Sequence, residues 1–228
     1  MGPEEDNASV TTSSPPPRAV ATPATETATA AGSTDHGPDR VLGGVLLGGG
    51  LVGAVAAVVL LLEKMALLAD PGYVPSCSID PVLSCGSVMR TAQAAAFGFP
   101  NPILGVATFP VVAVAGALVL AGTPLPRWFW LGLQFGATAG VAFVGWLIVQ
   151  SLAVIGALCP YCMVVWVVTI AVAWFVTARN LGAGDLDFGA TGRTLARRRG
   201  LVLALLYLVV VAAVVASFPA YFAATVGL

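Results

Sequence analysis

The chain has 228 residues, of which 58% are hydrophobic and 9% charged, with a net charge of −1. That balance excludes a water-soluble globular domain, whose outer faces would carry charge every few residues. There is no basic stripe interleaved with aromatic residues, which excludes nucleic acid as a partner.

In chain order, residues 1–40 read as a disordered cytoplasmic tail. Ser, Thr, Pro and Ala dominate from Asn7 to Gly37 without apolar periodicity, so the segment cannot bury enough surface to fold. It has neither the short apolar core nor the cleavage site of a secretory signal, its acidic residues Glu4, Glu5, Asp6 and Glu26 argue against a transit peptide, and the lone His36 reads as solvated. Val41 to Leu62 is free of charge and as a helix reaches about 33 Å, enough for a hydrocarbon core of roughly 30 Å. Four more apolar runs follow at about 103–121, 128–150, 159–176 and 201–221, the second ending at the breakers Gly122, Pro124 and Pro126. The fold class is therefore all-α integral membrane, with five transmembrane helices in a membrane domain over 41–222 and a short outer tail at 223–228. Trp128 and Trp130 suit an interfacial belt. Glu63 and Lys64, just after the first run, are expected as an interfacial ion pair, with partner docking or proton uptake as alternatives.

Charge sets the orientation. With the N-terminus inside, Arg18, Arg40, Arg127, Arg179, Arg193, Arg197, Arg198 and Arg199 all fall on the cytoplasmic side, and only Lys64 and Arg90 fall outside. The chain is expected to be multi-pass in the inner or plasma membrane, with all four cysteines extracytoplasmic.

Those cysteines form two pairs. Cys159-Pro160-Tyr161-Cys162 is a C-x-x-C at the start of a helix, where Pro suits the first position and free N–H groups and the dipole favour thiolate. Cys77 and Cys85 lie in a long, mobile loop after the first span, free to contact an external protein first and the helix-mouth pair next, so thiol–disulfide exchange alone can relay electrons. A structural disulfide would suit the loop pair taken by itself, but a second pair on the same side favours redox chemistry. The wide spacing of Cys77 and Cys85 disfavours zinc, and no metal is expected.

The outer-loop pair, the Gly-x-Pro-x-x-x-x-Gly run from Gly98 to Gly105 and the C-x-x-C opening the fourth helix resemble the vitamin K epoxide reductase family, and especially its bacterial members, over about residues 41–220. The resemblance implies a four-helix bundle around a quinone, capped by a short helix of the outer loop, with a peripheral fifth helix. It implies a quinone-dependent protein-disulfide oxidoreductase supporting disulfide bond formation: Cys162 faces the quinone, Cys159 exchanges with Cys85, and Cys77 helps receive electrons from the partner. Asn101 resembles the family's quinone-binding amide, although a helix N-cap before Pro102 is an equal reading. Trp166 stands where vertebrate enzymes place a tyrosine and brings an indole N–H but no hydroxyl. Thr91 replaces a family serine and keeps the hydroxyl, and by the resemblance it joins Asn101 and Trp166 as an expected quinone-binding residue. Many bacterial members carry a thioredoxin-like domain after the fifth helix, whereas this sequence stops at Leu228, so the expected partner is a separate DsbA-like or thioredoxin-fold protein. The acceptor is menaquinone or ubiquinone; nine Arg to one Lys and heavy Ala, Gly and Val use fit a GC-rich bacterial genome, where menaquinone is common. Two alternatives remain. A DsbB-type quinone reductase would place its C-x-x-C between the first two spans, and a membrane scaffold or small transporter with structural disulfides gives no reason for a C-x-x-C at a helix mouth.

Overall fold

The computed structural model describes Gly2, residues 39–186 and residues 188–226. His36 and nearly all of the expected tail 1–40 lie outside the described residues, as do Gly227 and Leu228. The described residues form helices joined by loops and turns, without strands: α1 Arg40–Ala69, α2 Cys85–Met89, a 3₁₀ turn Ala92–Ala95, α3 Pro102–Leu120, α4 Arg127–Val149 continued by a π turn Gln150–Ile155, α5 Pro160–Ala183, α6 Gly189–Arg197, α7 Arg199–Ser217 and α8 Pro219–Val226. Five of them, α1, α3, α4 with its π turn, α5 and α7, are long and apolar enough to cross a membrane. The chain is an all-α integral membrane protein.

In lipid every backbone polar group must be satisfied within the chain, which is why the apolar runs are helical throughout. Without a hydrophobic force between helices, packing depends on close backbone approach at small residues. α1 and α3 meet this way. A Cβ on Gly116 would strike the backbone of Leu46 and Leu47, and one on Gly50 would strike the backbone of Ala113. α5 packs against both α1 and α4, whereas no comparable face joins α3 to α4. α7 has no buried residue and leans on α5 and the π turn, so the fifth span is peripheral.

Several element bounds differ from the expected ones, for identifiable reasons. α1 runs past Leu62 to Ala69 because Glu63 and Lys64 find partners on the following loop: the Tyr73 hydroxyl donates to Glu63 at 2.8 Å and the Ser76 hydroxyl at 2.5 Å, while Lys64 donates to the Met89 carbonyl at 2.6 Å. The expected Glu63–Lys64 ion pair is thereby replaced. α5 continues to Ala183 and ends on Gly184, whose positive φ of 77° closes the helix. The fifth span stops at Ser217, and a separate helix, Pro219–Val226, occupies part of the expected outer tail.

At the end of the bundle opposite the cysteines, the buried Asn180 amide donates to Gln134 at 3.0 Å, and Gln134 donates to Thr177 at 3.0 Å. Asp185 pairs with Arg127 and Arg179. The Arg179 guanidinium lies 4.1 Å from the centre of the Trp130 ring. Trp130 is therefore buried beneath a cation and is not part of a belt, whereas Trp128 is 74% exposed. These pairings satisfy polar groups that lipid would otherwise leave costly.

Replacing Gly116 with Val should destabilise the α1–α3 contact by about 1–3 kcal/mol through overpacking, seen as a lower unfolding temperature in detergent. Gly44→Val, where a Cβ meets nothing within 4 Å, should leave that temperature nearly unchanged.

Candidate active site

The long loop between α1 and α3 is folded onto the bundle by its own polar residues. In Asp80-Pro81-Val82-Leu83 the Asp80 carboxylate turns the chain, accepting the N–H of Val82 at 2.8 Å and of Leu83 at 2.7 Å. From outside the loop, the Tyr221 hydroxyl of α8 donates to the same carboxylate at 3.0 Å. The straightened segment then pairs with the residue before the C-x-x-C: Leu158 N–H donates to the Val82 carbonyl at 2.7 Å, and Ser84 N–H to the Leu158 carbonyl at 2.8 Å. Ser84 caps α2 by accepting the Ser87 N–H.

This register decides where the sulfurs lie. The residue after Ser84 is Cys85 and the residue after Leu158 is Cys159, and their Sγ atoms are 2.9 Å apart. Cys85 is also joined to Cys77 by a disulfide, while Cys159 and Cys162 are free thiols. Three sulfurs, those of Cys77, Cys85 and Cys159, lie within 4.8 Å of one another, a cluster that in fully reduced form would offer three soft ligands. The site is dry: Cys85 is 0%, Cys159 1% and Cys77 6% exposed. The loop pair is thus packed against the bundle and not free to range, contrary to the mobile loop expected.

Cys159 stands at the N-terminus of α5 with Pro160 as the first helical residue. Its pKa is held below the usual thiol value of 9.0, first by the hydrogen bond from the Cys162 thiol and then by the N–H groups of Cys162 and Tyr161, against the opposing effect of burial. These donors favour thiolate on the sulfur that faces Cys85.

Cys162 looks the other way, into a cavity of about 690 Å³ enclosed by α1, α3, α4 and α5 beneath α2 and the 3₁₀ turn. Its wall is overwhelmingly apolar, with Lys64, Gln93, Asn101, Ser151 and Trp166 among the polar exceptions. Asn101 occupies the N-cap position of α3 without a side-chain capping bond: its amide donates to the Gln93 carbonyl at 2.7 Å and accepts from Ala96 N–H at 3.0 Å. One amide hydrogen of Asn101 remains beyond the bond to Gln93. Trp166 is buried in the wall. Thr91 is not among the lining residues. Its hydroxyl donates to the Val88 carbonyl at 2.7 Å, a helix-terminal bond that takes it away from the cavity.

Sequence reading missed the residues that hold the loop. Asp80 before Pro81 carries a turn signature that would have located the bend. Tyr221, from 141 residues away in the chain, carries none. Gln93, which donates to Gln150 at 3.3 Å, is equally silent in sequence.

A bundle of apolar helices with a disulfide, a facing dithiol and an adjoining apolar cavity defines a membrane disulfide oxidoreductase. Residues 45–177 match the profile of the Vitamin K epoxide reductase family, and the chain belongs to that family. No curated protein matches the chain.

The Asp80 carboxyl is held below its usual 3.8, chiefly by Leu83 N–H and further by Tyr221 and Val82. A lowered folded value means that its anchoring contribution is present above the usual value and lost as pH falls through the folded one. In a Cys77→Ser/Cys162→Ser background, formation of the Cys85–Cys159 disulfide under mild oxidant should slow about tenfold on Asp80→Asn and less on Tyr221→Phe, because a charged acceptor is lost in one and a single donor in the other. Gel mobility after thiol blocking reads the rate, and equal rates in all three proteins would contradict the assigned role of the loop anchor.

Proposed function

We propose that the protein oxidises the thiols of a separate extracytoplasmic thioredoxin-fold, DsbA-like protein and delivers the electrons to a quinone in the bilayer, supporting disulfide bond formation. The observation that carries this reading is the position of Cys159 and Cys162 between two environments, Cys159 2.9 Å from the Cys85 sulfur and Cys162 in the wall of the 690 Å³ cavity. Orientation follows from charge: Arg40, Arg127, Arg179, Arg193, Arg197, Arg198 and Arg199 lie at or beyond the helix ends opposite the cysteines, which the positive-inside rule assigns to the cytoplasm. The sulfur end then faces outward in the inner or plasma membrane.

The relay runs by exchange. A partner thiolate attacks the Cys77 sulfur, and Cys85 leaves as thiolate. Cys85 attacks Cys159 in the Cys159–Cys162 disulfide, and Cys162 leaves. The partner's second thiol resolves the mixed disulfide and frees Cys77, which attacks Cys85 and releases Cys159. The partner is now oxidised, the loop disulfide is restored, and both helix thiols are reduced, the same arrangement of bonds as in the structure. Burial of Cys77 means that the partner must displace part of the loop to reach it, and the exposed Val74 and Ile79, 70% and 71% accessible, offer apolar contacts on either side.

Cavity size and lining suit the acceptor, since small-molecule sites are concave, mostly apolar and roughly 300–1,000 Å³. Asn101 supplies an amide N–H for a carbonyl oxygen, Trp166 a flat apolar wall, and Cys162 the reducing sulfur. A bound quinone supplies the two-electron acceptor. The α3–α4 side, where the two helices share no extensive packed face, is the side on which an isoprenoid tail would leave the cavity. Menaquinone is favoured over ubiquinone on composition.

Cys162→Ser should abolish quinone reduction, and Cys77→Ser should block oxidation of a thioredoxin-fold partner while sparing quinone reduction driven by dithiothreitol. Quinone absorbance with purified variants, supplied in turn with menaquinone and ubiquinone analogues, reads both. Full activity in Cys162→Ser would remove the assignment.

A further inference from the structure

The cavity wall contains one charged side chain among the described residues, Lys64, and the relay above gives it no task. Lys64 lies one helical turn beyond Leu60, which also lines the cavity and packs in one cluster with Met89, Cys159 and Cys162. The ammonium group is fixed by the Met89 carbonyl at 2.6 Å. None of the three ion pairs among the described residues includes it. The neighbouring carboxylate, Glu63, is taken by Tyr73 and Ser76. Arg90, the nearby like charge, is engaged with the carbonyls of Pro71 and Tyr73.

A cation without a counter-ion in an apolar membrane cavity is costly, and such residues mark sites of function. Its placement has a chemical use. The start of α5 favours an anion at Cys159, whereas Cys162, which lines the cavity with Lys64, must become thiolate to give up electrons there; a fixed positive charge at the cavity end offsets the cost of that anion.

The geometry points to Lys64 as a catalytic cation and proton donor for quinone reduction. This rests on the quinone reading above and deepens it. The Cys162 proton passes to Cys159, and Lys64 stabilises the resulting Cys162 thiolate. As the Cys159–Cys162 bond forms, two electrons leave for the acceptor. One of the two protons that complete the hydroquinone comes from the thiol pair and the other from the Lys64 ammonium. The neutral amine then regains a proton from water at the outer face.

The test uses full-length protein in nanodiscs with two readouts. Lys64→Met should lower kcat for quinone reduction about 100-fold while changing KM for quinone less than about threefold, and Lys64→Arg should recover only part of the loss, because a guanidinium restores the charge but does not give up a proton. Independently of any quinone, alkylation of Cys162 by N-ethylmaleimide in the reduced protein, followed by mass spectrometry, should slow about tenfold in Lys64→Met and little in Lys64→Arg as thiolate character is lost. Parent-like alkylation in Lys64→Met overturns the role of Lys64, as does parent-like kcat. If the unaltered protein fails to reduce quinone, the quinone reading falls, and the alkylation rates still decide whether Lys64 governs the Cys162 thiolate.

Discussion

Two backbone hydrogen bonds, from Leu158 to Val82 and from Ser84 to Leu158, fix the relation between the halves of the redox site. They join a loop that follows α1 to the short connection between the π turn and α5, segments in which Cys85 and Cys159 stand 74 positions apart along the chain. Sulfur–sulfur exchange depends steeply on approach, and a shift of one residue in this pairing would turn Cys85 to the opposite face of the extended segment. The surrounding architecture serves this register. Asp80 shapes the segment, Tyr221 of α8 braces it, and Gly156, at a positive φ of 69°, lets the chain leave the π turn and run back to Leu158.

The same constraint explains why the peripheral helix matters. α7 buries no residue and looks dispensable to the core, yet Val214 near its end and the following Phe218 pack with Val82, Leu83 and Leu158, and α8 then carries Tyr221 to Asp80. The fifth span therefore buttresses the loop from outside the four helices that wall the cavity. π turns are commonly found at functional positions, and here the extra backbone residue directs Ser151 and Ile155 into the cavity wall before the chain reaches the C-x-x-C.

How much of this was legible in the sequence follows from the range of the interactions. The spans were readable because hydrophobicity in lipid is a local property, and the C-x-x-C at a helix start was readable because its chemistry lies within four residues. Helix ends were misplaced where a distant partner decides them: Lys64 ends an apolar run by composition, but the Met89 carbonyl keeps it inside α1. Thr91 looked like a cavity hydroxyl because its residue type fitted, while the local Val88 carbonyl captured it. Asn101 was expected to cap the next helix or meet a quinone. Its side chain makes no capping bond and ties Gln93 to Ala96, which no spacing rule foretells. The pairing of Cys77 with Cys85 was legible from their place together in one loop, apart from the C-x-x-C, although four cysteines admit three pairings.

The division of labour between the cysteine pairs is a consequence of solvent. On the proposed route, electrons from a water-soluble protein would cross from a polar surface to an apolar acceptor, and a single disulfide cannot face both. The loop pair lies where exposed Val74 and Ile79 can meet another protein, and the helix pair lies where Cys162 opens on the cavity. Thiolate chemistry at that boundary is limited by the cost of an anion in a dry site. At Cys159 the cost is met by a hydrogen bond from Cys162 and by the first N–H groups of α5. Moving the charge one sulfur further, into the cavity wall, takes it away from those donors, and the positive group available there is Lys64.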